Sequence, residues 1–254
     1  METTIILVTG LSRAGKSTFI NNLVKETCMP VNDTLALNSC SSIKSVTICP
    51  NPDRPYLQIL VAEVPGFDDE VKGDGEKLKE VADWLQEKLS QKMTFGGVLY
   101  MHDISEDRFS TLAASELKAL QASFAGKPDH GLERFVLVTT KWGRISEEKA
   151  SSKESELKKN QWGVLINRSS SVCRFKIDAA NKEVGYSSAW TALNLLLSCK
   201  SQVPDISDRL EEFKKLQLGG PKQEKSVIAS MIRLIFGYSA ATPRRGKHST
   251  GCRS

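Results

Sequence analysis

The sequence predicts an α/β fold, a mostly parallel sheet with helices on both faces. Three observations carry that expectation. Short β-branched apolar runs alternate with longer stretches of helical spacing from residue 4 to about residue 200. A glycine-rich turn joins the first run to the first helical stretch. The chain has 254 residues, enough for one larger domain to bury a core that sustains itself.

The elements follow in order. Residues 4–9 (TIILVT) read as a strand, and 16–25 as a helix with Phe19, Ile20, Leu23 and Val24 on one face. The runs at 45–49 and 56–63 flank PNPDRP, turn chemistry that predicts an antiparallel hairpin at one edge. Further strands are expected at 97–101, 135–140 and 172–177. Helices are expected at 75–92, 111–125, 147–160, 188–200 and 207–218. Gly219-Gly220-Pro221 then breaks the pattern, dividing a domain over 1–218 from an appendage over 219–254. Within the appendage, residues 225–238 give a broadly apolar helix with Ser226, Ser230, Arg233 and Gly237 on one polar stripe. A basic end with Arg244, Arg245, Lys247 and Arg253 follows. Three destinations stay open for that helix: the domain itself, a partner groove, or peripheral contact with an anionic membrane.

Composition narrows the class. With 40% hydrophobic and 26% charged residues, the chain is an ordinary globular one. A formal charge of +5 is mild, and no nucleic-acid partner is expected. Six cysteines without a CxxC pair argue against a zinc site or a disulfide framework, and for a reducing compartment. Neither a signal-like N-terminus nor a long uncharged apolar run is present, so a cytoplasmic protein is expected.

The chemistry concentrates in Gly10-Leu11-Ser12-Arg13-Ala14-Gly15-Lys16-Ser17, which fits G-x-x-x-x-G-K-[ST] directly between a strand and a helix. Such a loop turns successive N–H groups inward onto phosphate oxygens, and the helix N-terminus adds partial positive charge there. Gly10, Ser12, Arg13, Ala14, Gly15, Lys16, Ser17 and Thr18 are therefore the expected phosphate contacts. Lys16 would reach the β- and γ-phosphates and Ser17 would help hold Mg²⁺. The fold class becomes a P-loop NTPase. The loop by itself leaves GTPases, ATPases and small-molecule kinases open, and GLSRAGKST also resembles the loop of adenylylsulfate kinases.

Further segments share a resemblance. Glu63-Val64-Pro65-Gly66-Phe67-Asp68-Asp69 resembles the D-x-P-G-F-D-D stretch of septin-like GTPases. LNSCSS at 37–42, GVLYMHDIS at 97–105, VLVTTKWG at 136–143 and SAW at 188–190 resemble further elements of such proteins, in the same order. Over residues 4 to 200 the chain resembles the G-domain proteins abundant in mushroom-forming fungi, relatives of septins, chloroplast import receptor GTPases and immunity-associated GTPases. The resemblance implies a GTPase-like fold that binds GTP or GDP with Mg²⁺, hydrolyses slowly and acts through self-association or a protein effector. It implies Ser17, Ser41 and Glu63 at the metal, Gly66 at the γ-phosphate, and Thr140, Lys141 and Trp142 at the base.

Several positions depart from that pattern. Glu63 stands where Asp is usual, and Ser41 where Thr is, with Ser42 and Ser45 as alternatives. Gly143 replaces the Asp that reads guanine, and Phe67 stands where small GTPases place a water-orienting Gln. Trp142 is open between stacking on the base and filling the core. His102 and Asp103, adjacent at a strand end, are expected to face opposite ways, so no catalytic residue is assigned. These departures favour a degenerate nucleotide-binding scaffold as the alternative to a slow GTPase switch, with a P-loop small-molecule kinase third.

Overall fold

The structure is a computed structural model and describes residues 2–29, 31, 42–49, 57–66, 74–106, 132–200, 206–208 and 210–211. Six strands form one sheet: β1 (Glu2–Gly10), β2 (Lys44–Ile48), β3 (Leu57–Glu63), β4 (Thr94–Asp103), β5 (Phe135–Thr140) and β6 (Ser171–Arg174). Their order is β2-β3-β1-β4-β5-β6. Every neighbouring pair is parallel except β2 with β3. The expected hairpin is therefore present, with Val46 opposite Val61, and β2 forms one edge.

Strand alternation assigns the helices to faces. Ile6, Val8, Ile59, Val61, Leu99, Met101, Val136 and Val138 point to one side. There they meet α1 (Lys16–Val24) through Phe19, Ile20 and Leu23, and α5 (Lys182–Leu197) through Ala189, Ala192, Leu193 and Leu196. The intervening residues Ile5, Leu7, Leu60, Ala62, Val98, Tyr100, Phe135 and Leu137 point the other way. They meet α2 (Asp74–Ser90) through Leu78, Val81, Ala82 and Leu85. Ala150 of α3 (Glu147–Glu156) and Leu165 of α4 (Gly163–Ile166) complete that side. Strands covered on both faces explain why the sequence reads as continuous apolar runs rather than alternating ones.

Boundaries moved for identifiable reasons. β4 begins at Thr94, ahead of the expected residue 97, because Gly96 and Gly97 lie within the strand, where a register shift between Ile5 and Ile6 accommodates them. β6 ends at Arg174, opposite Thr139; the Phe175 amide still bonds the Thr139 carbonyl, and the chain then leaves the sheet one residue short of the end of β5. α5 starts at Lys182, six residues early, where the Asn181 side chain accepts the Glu183 amide as an N-cap. The stretch expected as a helix over 147–160 is α3, capped by Ser146, followed by a π-helical turn over Leu157–Gln161. The helix expected at 111–125 and the appendage at 219–254 lie outside the described residues. So does most of 207–218, although Ile206 and Leu210 are buried against the α2 side. Among the described residues, no helix is long and apolar enough to cross a membrane.

Candidate nucleotide site

The parallel strands carry their sequels to the same end of the sheet. The loop after β1, Glu63 ending β3, Asp103 ending β4 and Thr140 ending β5 all gather there. Helices leave β1 and β3 on opposite faces, so the end of β1 lies at a switch point, where open α/β sheets form their binding crevice.

Residues 10–17 wrap as the sequence predicted. Gly15 adopts φ +91, a left-handed conformation that glycine takes without strain, and it opens α1. Arg13 is also left-handed, at φ +63, and is exposed. The buried Lys16 arches back over the loop, its Nζ donating to the Leu11 carbonyl at 2.8 Å and the Gly10 carbonyl at 3.2 Å. Ser17 and Thr18 follow in the first turn of α1.

Glu63 meets the loop directly. The Ser17 hydroxyl lies 2.8 and 2.9 Å from the two Glu63 carboxylate oxygens, although 46 residues separate them. The longer side chain of Glu therefore reaches the hydroxyl that a metal-binding acid must accompany. The pair supplies hard oxygen donors, a carboxylate and a hydroxyl, which suit Mg²⁺ when phosphates complete its shell. Among the described residues, no group of three or more His, Cys, Asp or Glu forms an all-protein metal cage. Gly66 lies against the same loop: a Cβ there would come within 2.2 Å of Ser12 Oγ and 2.6 Å of Ser12 N. Only glycine permits that approach. Ser41 lies outside the described residues, and Ser42 is exposed.

The three residues expected at the base have unequal positions. The buried Thr140 donates its hydroxyl to the Ala14 carbonyl at 2.8 Å, with the His102 carbonyl at 3.2 Å, so it braces the phosphate loop from β5. Trp142 takes the core-filling alternative. Its indole is 4% exposed, its Nε1 donates to Thr139, and the Arg174 guanidinium covers the ring at 4.3 Å. Lys141, at φ +60, donates to Asp103 Oδ2 at 2.6 Å. Burial pushes the Asp103 carboxyl up, but hydrogen bonds from Lys141 and Ser105 outweigh it and hold the group below its ordinary value. A Cβ at Gly143 would meet nothing within 4 Å.

His102 and Asp103 do diverge. His102 sits edge-on to Trp162, and burial above all lowers its pKa to about 4, so the imidazole is neutral and packed. Two participants were not anticipated. Asp103 ties down Lys141, and Lys77 of α2 donates to the Gly66 carbonyl at 2.8 Å. Lysine inside an amphipathic pattern reads as a solvated residue, so nothing in the sequence marked Lys77.

A phosphate loop after the first strand of a 2-3-1-4-5-6 sheet, with the acid ending the third strand on the loop serine, defines the P-loop GTPase fold. Solved structures agree. Toc33 from Arabidopsis thaliana, solved with Mg²⁺ and GMPPNP, superposes with a TM-score of 0.51 at 15% identity, covering 76% of this chain and 86% of that one. A chloroplast translocon structure, described under the importance of dimerisation for GTPase activity, gives 0.53 at 16% identity, covering 80% and 87%. A bacterial selenocysteine-specific elongation factor gives 0.51 at 18% identity, covering 78% of this chain and 29% of that one. No family model matches the chain, and no curated protein matches it.

Proposed function

We propose that this chain is a guanine-nucleotide-binding switch that acts with Mg²⁺ and hydrolyses GTP slowly. The contact between Ser17 and Glu63 carries the reading, because it joins the phosphate loop to the acid whose identity the sequence left in doubt. Gly10, Ser12, Arg13, Ala14, Gly15, Lys16, Ser17 and Thr18 hold the phosphates, and Gly66 meets the third one. Ser17 and Glu63 hold the metal, with Ser41 as the switch hydroxyl. Bound Mg²⁺ would neutralise charge on the β- and γ-phosphates. Lys141, steadied by Asp103, lies at the base, and Thr140 and Trp142 support it from behind.

Hydrolysis by a single copy is slow, because the sequence has Phe67 where small GTPases carry a water-orienting Gln, and His102 is packed away from solvent. In the chloroplast translocon components, dimerisation is important for GTPase activity. For this chain, a second copy or a protein effector is the corresponding source of assistance. The finer relationship, to the fungal-type G-domain proteins and their septin and immunity-associated relatives, rests on the segments from 37 to 190, as does the cytoplasmic setting on composition. Gly143 favours a second reading, a scaffold that keeps nucleotide without hydrolysing it.

The test is calorimetry with GTP, GDP and ATP in the presence of Mg²⁺, followed by phosphate release at rising protein concentration. Tight GTP binding with turnover per protomer that climbs with concentration supports the switch. Binding without phosphate release selects the scaffold, and absence of binding defeats both. With no carboxylate at Gly143, the preference for GTP over ATP should fall well below the ~10⁴ of a fully paired site.

A further inference from the structure

Lys77 stands in the first turns of α2 and is 2% exposed, among the largest fully buried side chains of the protein. An ammonium group is strongly disfavoured in such a place unless its protons are accepted. Here the Gly66 carbonyl accepts one at 2.8 Å. Gly66 is itself pressed onto Ser12 of the phosphate loop, at a separation that excludes any side chain. Two residues earlier the backbone is tied to β1, the Val64 amide donating to the Val8 carbonyl at 2.9 Å. Lys77 thus connects α2 to the loop through one peptide that has little room to move. Leu78, Val81, Ala82 and Leu85 anchor the same helix in the core, so a shift of Gly66 must carry α2 with it or cost the ammonium an acceptor.

Resting on the nucleotide reading above, we propose that Lys77 is the positioning residue that couples α2 to the third phosphate. It holds the Gly66 segment where it can meet a γ-phosphate, and it transmits the presence of that phosphate to the helix. The diphosphate is held by the loop at Gly10–Ser17 and does not depend on Gly66. Loss of Lys77 therefore weakens triphosphate binding selectively, which general destabilisation would not do.

Calorimetry on the full chain with GppNHp and with GDP, each with Mg²⁺, compares wild type with Lys77→Met and Lys77→Arg. Lys77→Met should lower the GppNHp-to-GDP affinity ratio by about fivefold or more, with GDP affinity within about twofold of wild type. Lys77→Arg, which keeps a donor, should recover part of the ratio. An unchanged ratio, or equal loss of both nucleotides in a folded variant, overturns the proposal. If Lys77→Met loses its cooperative melt, amide exchange on the wild type decides instead. Slower exchange over residues 74–85 with GppNHp than with GDP supports the coupling, and identical exchange overturns it. Wild-type protein that binds neither nucleotide defeats the functional reading, and this inference with it, before any variant is made.

Discussion

At the scale of single residues, Lys16 and His102 show opposite uses of burial. Lys16 is held over its own loop by the Gly10 and Leu11 carbonyls, so its charge is positioned before any phosphate arrives. Lys16→Ala should keep the fold and weaken GTP binding on the order of 100-fold, since a charge-assisted hydrogen bond contributes up to ~3 kcal/mol. Calorimetry with GTP and Mg²⁺ reads this directly, and unchanged affinity in a folded variant would remove the loop from the argument. His102 instead makes stability depend on pH. Its folded pKa is about 4 against an ordinary value of 6.5, so between those values the unfolded chain takes up a proton that the folded chain refuses. Stability therefore falls as pH drops from 6.5 towards 4, by an upper bound of ~3 kcal/mol. His102→Leu should flatten that part of the acid limb in urea titrations at pH 7, 5.5 and 4.5. A variant whose pH profile matches wild type would mean the imidazole is protonated in the folded state.

At the scale of elements, the departures from expectation share a cause. Apolar periodicity locates a helix or strand, but its ends are set by partners that periodicity does not record. β6 stops at Arg174, opposite Thr139, and α5 starts at Lys182 behind Asn181, whose capping role depends on the chain direction before it. α3 is held by a contact of the same hidden kind. Its Glu154 is 1% exposed, accepts from Thr139 of β5, and pairs with Arg174 of β6 at 2.7 Å and with Lys158 at 3.0 Å. Arg174 then lies over the Trp142 ring, so one carboxylate organises the whole flank behind Lys141. Burial pushes Glu154 up, while Arg174 and Lys158 pull harder and leave it below its ordinary value. Glu154→Ala should cost about 1–3 kcal/mol in chemical denaturation, because it strips acceptors from a buried hydroxyl and a guanidinium. The contribution of a lowered carboxyl is present above the unfolded value of 4.5 and is lost as pH falls through the folded one. The gap between wild type and Glu154→Gln should accordingly narrow below pH ~4.5, and a gap that widens there would contradict the assignment.

At the scale of the whole molecule, the architecture was legible because the phosphate loop fixes a strand, a turn and a helix at once, and the remaining strands had only to alternate. The acid was legible too, although its 2.8 Å approach to the Ser17 hydroxyl was not. Lys77, Asp103 and the core placement of Trp142 were not, since each depends on what a side chain meets across the sheet. The appendage poses the last question. Among the described residues, the two apolar clusters together run from Ile5 to Leu210, with α1 and α5 on one face of the sheet and α2, α3 and α4 on the other. A helix at 225–238 with its apolar surface docked on this body would add several buried side chains at roughly 1.5–3 kcal/mol each. Removing it would then lower the melting temperature by ten degrees or more, at ~2–4 °C per kcal/mol for a chain of this size. The Gly219-Gly220-Pro221 break and the basic end from Arg244 to Arg253 favour an anionic surface as the cover instead. A chain ending at Gly220 should therefore melt within ~2 °C of the full-length protein, less than the loss of one buried side chain would produce. The full chain should sediment with phosphatidylserine vesicles, and the truncated chain should not. A large drop in melting temperature, together with a full-length protein that ignores those vesicles, would place the helix back on the domain.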